Sequence, residues 1–347
     1  MNDLYAPYEL SDALAQRLQT MPKVEIHVHL EGATDADTVW DMARRNGVAL
    51  PAASLDEWRA FYEFRDFNHF IQVYMSAAAC MQTVDDFVYM TESFIQRQAQ
   101  QNVRYCEVFL SASLLLDKVP EDELIDAFIE GARNGEAKYG THVAFIPDIG
   151  RNLPDTRFRV LDFVLKGQAK GAFIGLGLGG AEVGFPPELF VDVYEEAQRQ
   201  GLHLVAHAGE TEGPASIWGA LRSLHAERIG HGIRALDDDT LVDYLRGTQI
   251  PLEVSPKSNY RLKVVPTDQP HPIRELVDRG VYVTVNSDDP PMFSTRLNDE
   301  YLLLAQQGFS WDELWQLNLN GLEATFLDEA GKAAYRAEWA AWAEGVN

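Results

Sequence analysis

Two histidines stand two residues apart in "KVEIHVHLEG", residues 23 to 32, inside a run of apolar and β-branched residues that ends on an acid and a glycine. On a strand, side chains two apart share a face, so His27 and His29 each offer a nitrogen to one ion. The pair alone does not separate that role from two core histidines bonded to backbone. Three further stretches bear on the question. "HLVAHAGE" carries His207 at the end of an apolar strand and adds Glu210 past a small Ala-Gly turn, within reach of the same mouth. "RIGHG" sets His231 between glycines, where backbone comes close to a ligand. "VTVNSDDPP" holds Asp288 and Asp289 after a buried strand and before two prolines, with no basic neighbour in sequence. Two acids so placed repel, and a bound dication relieves them. A solvated Asp-Asp-Pro turn is the alternative, and the apolar run before it speaks against that.

Together His27, His29, His207 and Asp288 supply three imidazoles and a carboxylate. That donor set suits zinc with an open position for water; it lacks the thiolates of a closed structural site and the many oxygens calcium prefers. Glu210, His231 and Asp289 are then free for proton transfer and substrate binding. His203, which opens the strand that ends on His207, belongs to the opposite end of the fold, and His225 reads as a solvated residue on a helix.

The elements that position these groups follow from patterning. Short β-rich runs, each followed by a stretch with helical periodicity, argue for parallel βα units. Eight such runs occur: "KVEIHVHL", "VRYCEVFLS", "HVAFIPDIG", "FIGLGLGG", "LHLVAHAGE", "ERIGHG", "PLEVSPKSN" and "VYVTVNSDDPP". Eight close a (β/α)8 barrel, whose chemistry sits where the strands end at their C-termini. The strand ends collect His27, His29, Gly179, Gly180, His207, Glu210, His231, Asp288 and Asp289. No repeat or linker divides the chain, so residues 1–347 read as one α/β domain with a barrel core over about 20–325.

The segment 50–101 exceeds what one βα connection needs and reads as extra helices inserted after the first strand. Its aromatic stripe Phe64, Phe67, Phe70, Ile71 and Tyr74 reads as a helix packed on the barrel, with a lid as the alternative. Residues after Phe309 read as terminal helices in which Trp311, Trp315, Trp339 and Trp342 pack.

Composition narrows the partners. The formal net charge is −24, with 29 Lys and Arg against 53 acids, which repels nucleic acid and anionic membranes. Two cysteines, Cys80 and Cys106, are too few for a disulfide framework and favour a reducing compartment. No signal-peptide-like start and no bilayer-length apolar stretch occur, so the expected location is the cytoplasm.

"HVHLEGA", "HAGE", "ERIGHG" and "VNSDDPP", in this order, resemble the adenosine deaminase-like metal-dependent hydrolases. That resemblance implies a TIM-type barrel, one Zn2+ held by His27, His29, His207 and Asp288, and a purine nucleoside as small-molecule substrate. It implies that Glu210 protonates purine N1 and that His231 orients or deprotonates the zinc-bound water, with Asp288 helping to hold it. Asp289 then partners N7, the backbone N–H of Gly180 meets N3, and His29 and Glu31 also border the substrate. The reaction it implies is hydrolytic deamination at C6. The other deaminase architecture needs H-x-E followed by P-C-x-x-C; "HAE" occurs at 225 to 227, but both cysteines precede it and no C-x-x-C exists.

Departures from the family pattern bear on the substrate. Glu31 stands where adenosine deaminases usually carry Asp near the ribose 5′ end, which is more like the adenine enzymes. Gly230 stands where adenine enzymes tend to carry an acid, "RIDHG". Ser255 and Lys257 in "SPKSN" depart from C-P-x-S-N, with Lys257 expected to be solvated. A nucleoside with an altered 5′ substituent reconciles these features, which places adenosine and 6-aminodeoxyfutalosine of menaquinone synthesis ahead of adenine. A related zinc amide or ester hydrolase, which commonly adds a bridging lysine, and an inactive binding protein are the remaining alternatives.

Overall fold

The computed structural model describes residues 4–63 and 67–346. Eight strands form one sheet in the order of the sequence: β1 Lys23–His29, β2 Val103–Leu110, β3 His142–Gly150, β4 Gly175–Gly179, β5 His203–Ala208, β6 Arg228–His231, β7 Leu252–Val254 and β8 Val283–Val285. Each successive pair is parallel, as short strands joined through helices must be. The sheet closes between β8 and β1 through a single parallel bridge, Val28 with Asp288. There the His29 N–H donates to Asp288 O at 3.0 Å and the Asp288 N–H to His27 O at 3.2 Å. Below that bridge the Asn286 side chain stands in for a strand: its Oδ1 accepts the Ile26 and His27 N–H groups at 3.0 and 3.1 Å. The seam therefore brings His27 and His29 against Asp288 through backbone pairing, before any side-chain chemistry is considered.

Strands β7 and β8 are shorter than the apolar runs that mark them. After Val254 the chain turns at once into a helix, Pro256–Arg261, with proline at its first position, where a missing N–H costs nothing. The helices wrap the barrel around a continuous apolar shell. The helix Glu121–Tyr139 stops on Gly140 at φ 79, and helix Val191–Arg199 is followed by Gly201 at φ 75, the left-handed backbone that glycine adopts without strain.

A leading helix α1, Asp12–Thr20, precedes β1, and among the described residues four helices lie between β1 and β2: α2 Ala36–Asn46, α3 Leu55–Tyr62, α4 Phe67–Cys80 and α5 Val84–Ala99. A Thr83–Asp86 capping box starts α5. The aromatic stripe divides. Phe64 lies outside the described residues. Phe70 stacks on Phe293 of the loop after β8, with centroids 5.4 Å apart, and the Tyr74 hydroxyl pairs with Ser111 Oγ at the end of β2 at 2.6 Å. Ile71 is exposed. Thus α4 touches the loops that rim the mouth, while Val73 and Ala77 on the same helix join the apolar shell.

The C-terminal helices Trp311–Ala324 and Glu329–Val346 pack through Trp311, Trp315, Trp339 and Trp342. Among the described residues no helix is long and apolar enough to cross a membrane.

Candidate active site

The four residues read as ligands converge. Single donor atoms of His27, His29, His207 and Asp288 all lie within 4.8 Å of one another. His29 Nε2 is 3.1 Å from His207 Nε2 and 3.5 Å from Asp288 Oδ1, and His27 Nε2 is 3.7 Å from Asp288 Oδ1. Two of the imidazoles are anchored on the side away from this cluster. His27 Nδ1 pairs with Glu253 Oε2 at 2.8 Å, and His207 Nδ1–H donates to Leu178 O at 2.9 Å. His27 Nε2 is buried with no partner among the described residues. A buried nitrogen turned toward three other donors, on a ring fixed from behind, is the arrangement a metal ligand requires.

Two residues of the site adopt left-handed backbone: His231 at φ 62 and Asp288 at φ 66. Such conformations cost about 1–3 kcal/mol for residues with a Cβ and persist where surrounding structure enforces them. Asp288 is enforced by the seam itself, and its Oδ2 accepts a 2.6 Å bond from Ser258 Oγ. His231 Nε2 lies 3.8 Å from Glu210 Oε1 and 3.9 Å from Asp288 Oδ2.

Glu210 and Asp289 complete the mouth. Burial, then the charges of Asp288 and Glu182, push Glu210 up to about 8. Burial and the adjacent Asp288 hold Asp289 well above the ordinary carboxylate range. Both present an oxygen with no described partner. Gly32 makes room for Asp289: a Cβ on that glycine would fall 1.5 Å from Asp289 Oδ1. Asp288 is driven the other way, well below its usual value, because contact with His27 overcomes burial. Burial lowers His29 to about 3 and His231 to about 4, so both rings are neutral at pH 7.

Gly180, at φ 84, turns the chain just after β4, where an added Cβ would stand 3.1 Å from Asn152 Oδ1 and 3.6 Å from the Arg151 N. Glu31 is buried; its Oε1 accepts the Ser111 N–H at 2.9 Å, its Oε2 has no described partner, and burial raises it to about 7. Gly230 has a steric reason: a Cβ there would stand 2.8 Å from His27 Cε1 and 3.2 Å from the His207 Cα. Lys257 is half-buried rather than solvated, because its helix is drawn in where its N–H donates to Glu300 Oε2 at 2.9 Å. His203 lies at the opposite end of β5, paired with Glu227 and stacked on Phe326. His225 is exposed but sits in the loop beyond helix Pro214–Arg222 rather than on it.

Several supporting residues escaped the sequence reading. Glu253 anchors His27 from β7. Asp148 on β3 is buried, 3.7 Å from His29 Nδ1, in space left open by Gly177, whose added Cβ would meet it at 1.7 Å. Glu182 accepts the consecutive N–H groups of Gly209, Glu210 and Thr211 at 2.8–2.9 Å, together with Ser216 Oγ at 2.7 Å. Arg151, 3.9 Å from Glu182, donates to His207 O at 2.6 Å, so one buried ion pair holds both ends of the turn that bears His207 and Glu210. Asp148 was within reach of the strand-end rule, since "FIPDIG" carries an acid near the end of a strand.

The chain has close counterparts among known proteins. The family model described as adenosine deaminase matches residues 22–342. Adenine deaminase of Cupriavidus necator is 37% identical over 330 residues, covering 94% of this chain and 93% of the relative. Adenine deaminase of Ralstonia nicotianae is 38% identical over 332 residues, covering 94% and 96%. The crystal structure of adenine deaminase from Arthrobacter aurescens superposes with a TM-score of 0.88 at 34% identity, covering 94% of this chain and all of that one. An amidohydrolase from Burkholderia ambifaria with bound zinc gives 0.89 at 27% identity, covering 99% and 96%.

Proposed function

The chain belongs to the adenosine deaminase family and is a deaminase; from that premise we propose that it is zinc-dependent and that its substrate is free adenine, hydrolysed at C6 to the 6-oxopurine and ammonia. The observation that carries the chemistry is the pair of carboxyls, Glu210 and Asp289, which face one mouth, each with a buried oxygen that has no described partner, and which burial and the adjacent Asp288 push toward the protonated form. A purine ring offers acceptors at N1 and N7, and two protonated acids are what such a ring needs. Glu210 delivers its proton to N1, which makes C6 electrophilic; Asp289 donates to N7, and the Gly180 N–H to N3.

The donor set supports zinc: three imidazole nitrogens, one carboxylate oxygen, an orphaned His27 Nε2 and no thiolate among the four. His27, His29, His207 and Asp288 would hold it. Zinc held there would supply Lewis acidity that activates water at neutral pH.

Free adenine takes precedence over a nucleoside, reversing the order expected from the sequence. Relatives covering more than nine-tenths of the chain are adenine deaminases. Glu31 supports the same choice: its unpartnered Oε2 suits an N–H donor such as the N9–H that only the free base carries. Gly230 favours a second reading, a 5′-substituted adenine nucleoside such as 6-aminodeoxyfutalosine, since adenine enzymes tend to carry an acid there.

The test is ammonia release by zinc-loaded enzyme from adenine, adenosine, deoxyadenosine, adenosine 5′-phosphate and 6-aminodeoxyfutalosine. Adenine is expected to lead in kcat/KM by about tenfold or more, the discrimination a site matched to one extra N–H reaches. A lead for any nucleoside overturns the substrate, and turnover of none overturns the reading as a whole.

A further inference from the structure

His231 stands over the reacting centre, and its usefulness there depends on which ring nitrogen carries the proton. A chain of hydrogen bonds behind it decides this. The backbone N–H of Ile273 donates to His271 Nδ1 at 3.1 Å. A backbone N–H has no acceptor form, so His271 Nδ1 is a lone pair. Burial drives His271 down to about 3 and keeps it neutral, which leaves its one proton on Nε2. That Nε2–H lies 3.1 Å from Asn259 Oδ1 and donates to it. The remaining half of the amide, Asn259 Nδ2, lies 3.4 Å from His231 Nδ1 and has only N–H groups to offer. His231 Nδ1 therefore accepts.

Turning the amide over fails. Asn259 Nδ2 would then donate to His271 Nε2, and a neutral imidazole would have to accept at both nitrogens while carrying one N–H. The parts are also held in place. The Asn259 N–H donates to Ser255 O, and Asn259 O accepts from Val264 and Val265. His271 receives the Tyr260 ring edge-on at 5.4 Å and donates its own N–H to Gln307 Oε1. All three residues, Asn259, His271 and His231, are at most 1% exposed.

We infer that Asn259 and His271 are positioning residues that fix His231 as the Nε2–H tautomer, so that it donates a hydrogen bond to oxygen at the reacting carbon and does not accept a proton there. Its lone pair faces away from the site, already engaged by Asn259. Its N–H faces Glu210 Oε1 and Asp288 Oδ2 at 3.8 and 3.9 Å, separations that a single bridging oxygen spans. Of the two roles the family resemblance allows, orienting and deprotonating, the first is the one this network builds. The inference rests on the deaminase reading for its catalytic meaning, but the tautomer is a property of the resting protein.

Long-range 15N–1H correlation spectra of histidine-labelled, zinc-loaded protein read that property directly, with the His231 ring identified by its loss in His231→Gln. The expected result is a bare, accepting Nδ1 and a protonated Nε2; a protonated Nδ1 overturns the inference. A second measurement uses Asn259→Asp, which replaces the donor facing Nδ1 with an acceptor and calls for the other tautomer. In the zinc-loaded variant kcat for adenine is expected to fall by about 10²–10⁴-fold, the scale of a mis-set catalytic histidine, while KM and zinc content change little. A kcat within about twofold of the parent overturns the inference. Should Asn259→Asp fail to fold, the spectrum of the parent protein still decides, and because that spectrum needs no turnover, failure of the substrate reading is seen separately in the ammonia assay.

Discussion

The barrel interior holds buried charge at two levels, and the two are built on opposite rules. In the lower layer Arg228 lies between Glu107 and Glu253, 2.5 and 2.6 Å away, beneath the ring of Phe326. Glu107 also accepts the Phe326 N–H and the Tyr105 hydroxyl. Each charge there faces an opposite one, and Arg228 is held above its ordinary value by the two glutamates despite burial. In the upper layer His27 Nε2, Asp148 Oδ1, Glu210 Oε1, Asp289 Oδ1 and Glu31 Oε2 are buried with no described partner. Protein interiors seldom leave such groups unmade. The lower layer matches its charges within the protein, although Arg228 Nε and Nη2 and Glu253 Oε1 make no hydrogen bond there, whereas the upper one leaves its polar atoms to be matched by something that binds. Glu253 joins the two, with one oxygen toward Arg228 and the other toward His27.

Substitution at each level separates the rules. Glu210→Gln keeps the shape and removes the acid proton, so kcat is expected to drop by about 10²–10⁴-fold, the range of general acid–base catalysis, with zinc content unchanged. Thermal unfolding should occur at the same temperature or higher, since a neutral amide replaces a buried acid. An undiminished rate would take Glu210 out of the chemistry. Arg228→Met is expected to do the reverse. It strands Glu107 and Glu253, and breaking a buried pair costs about 3–5 kcal/mol, seen as a lowered denaturation midpoint. Turnover of the folded, zinc-saturated variant should change by less than about tenfold, since Arg228 reaches the metal site only through Glu253 and even direct partners of ligands act on a scale of about 10–100-fold. A large loss of rate with little loss of stability would erase the distinction between the layers.

The sequence disclosed the upper layer far better than the lower. His27, His29, His207, Glu210, His231, Asp288 and Asp289 stand at the ends of recognisable strands, and parallel strands of a barrel deliver their ends to one place. The barrel followed from the same eight runs and is what the structure shows. Strand length was less legible, because β7 and β8 leave the sheet early to set Ser258 and Asp288 in place. The supporting residues were hidden for a different reason. Glu253 meets His27 across 226 residues of sequence, and in "PLEVSP" it looks like any polar residue alternating in a strand. Glu182 acts on backbone N–H groups, which leave no trace in residue types. The fate of α4 was ambiguous from spacing because one helix does both jobs, with Val73 in the shell and Phe70 and Tyr74 at the mouth.

Glu300 tests what separates the two layers, countercharge or hydrogen bonding, with a smaller effect. It is fully buried, and both oxygens are bonded: Thr295 Oγ1 donates to Oε1 at 2.6 Å and the Lys257 N–H to Oε2 at 2.9 Å. Burial nevertheless pushes it from 4.5 up to about 8, against the charge of Lys257 and these two bonds. The two hydrogen bonds thus do not offset the burial of this carboxyl. The sign of the consequence follows from proton binding. Between pH 4.5 and about 8 the unfolded chain has lost this proton and the folded chain still holds it, so stability contributed by Glu300 is full below 4.5 and is lost as pH rises to about 8. Glu300→Gln has nothing to titrate. Measured from about pH 5 to pH 8, the melting temperature of the variant should gain on that of the parent by a few degrees. A difference that stays constant across that window would mean that Glu300 is ionised in the folded protein, and that two neutral donors stabilise a buried carboxylate as well as Arg228 stabilises Glu107.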